Sequence, residues 1–265
     1  MLKHLRDLHV WLRVGDLDVP VYNRPRSANF NPSGIRAIIR AASPEIHEEG
    51  RVVWGVTTNR VGFILISGWN DSKIPDKFGQ ALEQMRDTRG LILDVRANGG
   101  GDEPTAAKVA GRFLEKEFVY AFSQFRNGPS HTNLTQKFER RVKPARPWRY
   151  NRPVLLLIGQ KCMSSNESFI GMMTGDPDVI TMGDHTCGSS GNPMMIQLPL
   201  EMTVSVPQWI DYLPDDSPLD ERGFQPQVLF KPFPGAFDGD RDDLLAAALE
   251  RLSKAPLPEK PIEAD

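Results

Sequence analysis

The chain has 265 residues, 40% apolar and 25% charged, enough for one large core with a small arm and too apolar for a disordered polymer. A formal charge of −2 gives no electrostatic footprint for nucleic acid, and the basic run Arg140-Arg141-Val142-Lys143-Pro144-Ala145-Arg146 falls in a proline-punctuated connector, so it is expected to be a solvated loop. No apolar run approaches the roughly 18 residues of a membrane span, which argues against membrane insertion.

In chain order, Leu2, Leu5, Leu8 and Leu12 have a helical spacing, so residues 1–14 are predicted to form a helix. That helix starts without a cap, as if inside a longer protein. The stretch MLKHLRDLHVWL is too polar for a signal peptide, which leaves cytoplasmic and extracytoplasmic locations both open. Residues 15–50 are read as an irregular arm, so that 1–51 forms an N-terminal region ahead of a core at 52–253. Short strands are predicted near Val52–Val56 and Val61–Ser67, then a helix from Ile74 to Arg86 with Phe78, Leu82 and Met85 on one face.

Leu91–Val95 is a strand, Pro104–Leu114 a helix and Phe118–Phe122 a strand. Residues 125–152 form a long connector of the length often used for lids. Val154–Ile158 is a strand buried on both faces, followed by a polar turn and a helix. Val179–Met182 is a strand, Met194–Leu198 and Met202–Val206 a hairpin, and Asp240–Leu252 a helix with Asp242 and Asp243 in its first turn. The tail 254–265 is expected to be disordered. Strands alternating with helices imply an α/β fold with a mostly parallel sheet and right-handed crossovers.

Two strand ends carry the chemistry. After Val154–Ile158 the sequence reads Cys162-Met163-Ser164-Ser165-Asn166-Glu167-Ser168-Phe169. A serine here lies at a helix N-terminus, where unpaired N–H groups could hold an oxyanion while the hydroxyl attacks a carbonyl. The same residues also fit the capping box S-x-x-E, with Ser164 as cap and Glu167 as its partner. After Leu91–Val95 comes Arg96-Ala97-Asn98-Gly99-Gly100-Gly101, whose glycines can turn several N–H groups toward one point. No phosphate-loop or dinucleotide fingerprint accompanies them. Cys162 and Cys187 form neither a disulfide framework nor a zinc cluster and are read as reduced packing residues.

These motifs resemble the C-terminal-processing and tricorn-core serine peptidases, a PDZ-less version nearer the tricorn-like branch. The resemblance implies a crotonase/Clp-like spiral core. LILDVRANGGG at 91–101 is similar to the family's oxyanion turn, pointing to Gly100 and Gly101. CMSSNESF at 162–169 resembles the nucleophile turn, selecting Ser164 as nucleophile and the Ser165 N–H as second oxyanion donor. GDHTCGSSGN at 183–192 is similar to the loop that carries the catalytic lysine of the C-terminal-processing branch, but Ser189 stands in that place.

LRDLHVWL at 5–12 is similar to the L-x-D-x-H motif, making His9 the general base, with Leu8 where the tricorn branch has a serine. PLDERGFQP at 218–226 places Asp220 on the acidic position that orients the base, with Glu221 as the off-by-one alternative. His185 is the rival base; His4, His47 and His131 are weaker candidates. Asp7 is read mainly as a carboxylate pinning the arm.

The implied activity is hydrolysis of peptide bonds in a peptide or unfolded protein through an acyl-enzyme, with no metal or cofactor. A homo-oligomer, or contact with a preceding region of chain, is left open. Two other classes compete: a catalytically degenerate family member that binds a peptide or small ligand, and a crotonase-type acyl-CoA enzyme, in which Ser-Ser-Asn-Glu-Ser-Phe would have no role.

Overall fold

Leu-Ile-Leu-Asp and Val-Leu-Leu-Leu-Ile offer no wet face, and in the computed structural model of the chain both strands are buried on both sides. The structure describes residues 2–130, 132–260 and 262. The elements in order are a 3₁₀ turn at Leu2–His4, β1 (Trp11–Val14), β2 (Leu17–Val19), α1 (Pro32–Ala42), β3 (Ile46–Glu49), β4 (Val52–Val56), β5 (Gly62–Ile66), α2 (Ile74–Gln84) and β6 (Leu91–Asp94). They continue with α3 (Glu103–Ala110), β7 (Phe118–Phe125), β8 (Phe138–Val142), β9 (Val154–Ile158), α4 (Ser165–Met173), β10 (Val179–Gly183), β11 (Met194–Leu198), β12 (Met202–Val206), β13 (Trp209–Tyr212), β14 (Val228–Leu229) and α5 (Asp243–Ser253).

A seven-stranded sheet, β14-β10-β9-β6-β5-β4-β3, forms the centre. It is parallel from β5 through β6, β9 and β10 to β14, and antiparallel at the β3-β4-β5 end. This is the expected α/β class with a mostly parallel sheet. Strand alternation sorts the core into two layers. Leu91, Leu93, Val154, Leu156 and Ile158 pack with Phe78 of α2, Val109 of α3 and Phe169 of α4. Ile92, Leu155 and Leu157 face the other way, onto Ile39 of α1 and Leu245 of α5. Leu156 pairs with both Leu93 and Thr181, so β6, β9 and β10 end level and their turns share one edge of the sheet.

The N-terminal region differs from its sequence expectation. Residues 2–14 do not form a helix: Arg6 has φ 46°, and β1 pairs antiparallel with both β12 and β2. Trp11 and Val14 suit a strand, and ladder pairing on two sides overrides a leucine spacing that has no apolar helical groove to fill. The arm is not irregular throughout either. Asn31 caps α1 by accepting from the Ser33 N–H at 3.1 Å, and Pro32 follows at the first helical position.

The connector 125–152 contains β8, paired with β7, and Arg140 is buried rather than solvated, with its Nη1 2.6 Å from Asp211 Oδ2 and Nη2 on Glu103. In the tail, Ile262 is buried and donates its N–H to Arg86 O at 2.9 Å; residues 261 and 263–265 lie outside the described residues. The 194–206 hairpin forms as expected and joins β1 and β2 in a four-stranded sheet, while β13-β7-β8 makes a third.

Candidate active site

Ser164 sits between β9 and α4 with φ 60° and ψ −134°, a region that costs a non-glycine residue about 1–3 kcal/mol. Neighbours hold it there: its N–H donates to Ser189 O at 2.9 Å and its carbonyl accepts from the Glu167 N–H at 2.7 Å. Its hydroxyl makes no capping bond. The Ser165 hydroxyl, by contrast, is tied to the glycine turn, donating to Gly101 O and accepting from Gly101 N–H at 3.2 Å.

The capping-box interpretation of Glu167 fails as well. Its carboxylate is fully buried and accepts from Thr186 Oγ1 at 2.5 Å, Gly188 N–H at 2.7 Å and Ser189 N–H at 2.8 Å, so it shapes the 186–189 loop instead of closing the helix end. Burial pushes this carboxyl up to about 7 against the pull of those three donors, and the nearby Asp220 adds to the rise.

The glycine turn is bolted to the serine turn through asparagines. Asn166 Nδ2 donates to Val95 O and Asn98 O at 3.2 and 3.0 Å, while its Oδ1 accepts from Trp69 Nε1 at 3.2 Å. The N–H groups of Gly100 and Gly101 lie outside any ladder. That of Gly100 donates to Asn98 Oδ1 at 2.9 Å, and that of Gly101 is held by Ser165 Oγ. The Ser165 N–H has no acceptor among the described residues. Gly100 has φ 108°, and a Cβ there would lie 2.9 Å from Ser164 Cβ, so only glycine lets the turns approach this closely. Asn98, Asn166 and Trp69 escaped sequence reasoning; the first two stood inside the motifs, but Asn98 Oδ1 serves its own turn and the partners of Asn166 lie on the other one.

His9 packs against Ser189 and Gly191, and no hydrogen bond joins it to Ser164 among the described residues. The His9 N–H donates to Asp7 Oδ1 at 2.7 Å, its Nδ1 is 3.1 Å from Ser189 Oγ and 3.6 Å from Asp7 Oδ1, and its Nε2 is buried without a partner. Burial works to raise the Asp7 carboxyl, but the hydrogen bonds from His9 outweigh it and hold the group below its ordinary value.

Asp220 accepts the Ser190 N–H at 3.1 Å, and no hydrogen bond joins it to His9 among the described residues. Burial, with Asp7 and Asp211 nearby, pushes Asp220 up to about 6. Glu221 is exposed. The exposed His185 turns its Nδ1 to Asp184 at 2.8 Å, and His47 stacks on Trp54; His131 is outside the described residues. Both cysteines are free and buried.

Two clefts flank the loop. One of about 320 Å³ is lined by Gly101, Ser164, Ser165, Ser190, Asn192 and Trp209. The other, about 360 Å³, is lined by Asp7, Arg24, Ser189 and Asp220. A larger hollow of about 740 Å³ around Arg149 and Lys260 has no serine, histidine or cysteine among the described residues of its lining. Among the described residues no group of three or more His, Cys, Asp or Glu side chains is placed to hold a metal ion.

A mostly parallel sheet covered on both faces, with a glycine turn and a strained serine turn meeting at one edge, makes this an α/β protein whose candidate site lies at the strand ends. The chain belongs to peptidase family S41, whose model matches residues 60–230. That match includes Ser164, Gly100, Gly101 and Asp220 and leaves His9 outside it.

A crystal structure from Parabacteroides merdae, described as a peptidase, superposes with a TM-score of 0.80 at 23% identity, over 95% of this chain and 79% of that one. Mature CPAF in complex with lactacystin gives 0.66 at 14% identity, over 80% of this chain and 56% of that one. The tricorn protease gives 0.51 at 16%, over 74% of this chain and 18% of that one. At these identities the likeness is one of fold. The chain spans about half the length of mature CPAF and less than a fifth of tricorn.

Proposed function

We propose that the chain is a serine peptidase with Ser164 as nucleophile and His9 as general base. The observation that carries this is Ser164 itself: a non-glycine residue kept at positive φ, its hydroxyl unused as a cap, between a glycine turn and a cleft. The neighbouring Ser165 hydroxyl is occupied by Gly101, which favours Ser164 over Ser165.

With the His9 Nδ1 side facing Asp7 and Ser189, the ring proton belongs on Nδ1 and the lone pair on the unpartnered Nε2. Ser164 Oγ then bonds to the peptide carbonyl carbon as its proton passes to Nε2; the C–N bond breaks as that proton moves to the leaving amine. Water reverses the sequence on the acyl-enzyme. We assign the orienting role expected of Asp220 first to Asp7, with Asp220 holding Ser190 and adding negative charge beside the imidazole.

Oxyanion donors are the Ser165 N–H and that of Gly101, which must loosen its 3.2 Å bond to Ser165 Oγ. The Gly100 N–H, already given to Asn98, contributes by holding the turn. The occupied glycine amides also support a second reading, a catalytically silent family member that binds peptide in the same cleft. A fluorophosphonate probe decides between them. The peptidase should be labelled at Ser164, with labelling lost in Ser164→Ala and kept in Ser165→Ala. An unlabelled chain would leave the binding protein.

A further inference from the structure

Among the described residues the three sheets have six edge strands, and five of them carry a device that discourages another chain from pairing. β2 is three residues long with Asp18 held by Arg13, and β14 has two residues. β3 reads Ile-His-Glu-Glu, β8 reads Phe-Glu-Arg-Arg-Val, and β13 contains the buried charge of Asp211. β11 has none of these. It reads Met-Met-Ile-Gln-Leu, without charge, proline or bulge, in unbroken register with β12. Met194, Met195 and Leu198 are 47%, 67% and 42% exposed, so apolar side chains stand in water on both faces of a strand whose outer N–H and C=O groups have no partner among the described residues.

The strand also has a direction. Asn192 and Pro193, the residues just before it, line the Ser164 cleft. At about 3.4 Å per residue, β11 carries an unpaired edge roughly 17 Å outward from that cleft. We infer that β11 is the docking edge for substrate: an extended, apolar polypeptide segment adds to it as a further strand and is thereby led to Ser164. The inference rests on the peptidase reading and goes beyond it by naming the strand edge that holds the substrate.

Main-chain pairing needs a free backbone, which an unfolded segment supplies and a folded surface does not. Two flexible, polarizable methionines accommodate apolar side chains of varied shape. A second copy of the chain could pair with the same edge, but a self-pair gives no reason for one end of the strand to open at the serine.

The test uses the Ser164→Ala chain, so that bound peptide is not cut, and a short fluorescent Val/Leu-rich peptide read by anisotropy. Peptide N-methylated on alternate residues should bind about tenfold more weakly or worse, as should unmodified peptide to a Met195→Lys version whose melting curve shows it folded. The N-methylated arm needs no change to the protein. Equal affinities in both arms, or no peptide binding at all, would overturn the docking edge. So would a wild-type dimer that Met195→Lys converts to monomer while peptide affinity stays the same. Fluorophosphonate labelling of the otherwise unaltered chain reports separately on the peptidase reading: a labelled Ser164 with peptide binding indifferent to β11 removes this inference and leaves that reading standing.

Discussion

At Ser164 the backbone and the side chain have different interests. Its φ of 60° is comfortable for glycine and strained for serine, and its hydroxyl makes no hydrogen bond among the described residues that a replacement would forfeit. Ser164→Gly should therefore gain about 1 kcal/mol in a denaturant melt, the relief of strain less the extra entropy glycine brings to the unfolded chain. The same variant should take no fluorophosphonate label. Stability sacrificed at one residue is the pattern of a functional position. A Ser164→Gly chain less stable than the parent would show that the hydroxyl has a structural partner after all, and the capping interpretation would return.

Helix α4 shows how an element is placed by its polar residues. It is buried along its whole length, and Ser165, Asn166 and Glu167 each bind a different segment: the glycine turn, the end of β6 and the 186–189 loop. Because burial raises Glu167 from its ordinary 4.5 to about 7, the folded chain keeps a proton between those values that the unfolded chain has released. That contribution to stability is fully present below about 4.5 and is lost as pH rises through about 7; Asp220, raised from its ordinary 3.8 to about 6, adds a slope of the same sign over its own, lower range.

Glu167→Gln should flatten the slope, leaving the Asp220 part. It should also cost about 1–3 kcal/mol where stability no longer changes with pH, because an amide NH₂ would face a donor from Thr186, Gly188 or Ser189. Thermal melts across this range check both; an unchanged slope in the variant would assign the titration elsewhere. The same residue shows what sequence can convey. Ser-Ser-Asn-Glu satisfies a local capping rule, but the partners that claim Glu167 are about twenty positions away. β6, β9 and the β11-β12 hairpin were legible because their signals are continuous runs and a turn. β1 was not, since its ladder partner is β12 and Leu2, Leu5, Leu8 and Leu12 imitate a helix. Nor was Arg140, whose partner Asp211 is 71 residues on.

Across the whole molecule, one guanidinium ties the sheet edge to both ends of the chain. Arg96, fully buried, donates through Nε and Nη2 to Asp94 at the end of β6, and through Nη1 to Asp242 at 2.9 Å and to Asn29 O at 2.6 Å. Asp242 in turn caps α5 through the Leu245 N–H and receives the N–H of Asn31, the cap of α1; Asn29 donates to Ile158 O at the end of β9. The two carboxylates outweigh burial and hold the Arg96 guanidinium firmly protonated. The arginine of the glycine motif thus fixes the frame on which the two turns meet, while Ser164 and Gly101 line the cleft.

Removing it alone, as Arg96→Met, strands two buried carboxylates and should cost about 3–5 kcal/mol, a large fraction of the stability of a typical domain. Neutralising all three, as Arg96→Met with Asp94→Asn and Asp242→Asn, should cost clearly less than the sum of the three single losses, because the stranded charge is then gone and Asn at 242 can still cap α5. Denaturant melts of the singles and the triple measure the difference. Additive losses, or an Arg96→Met chain within about 1 kcal/mol of the parent, would mean that apolar packing around the network, and not the ion pairs, holds the turns in place.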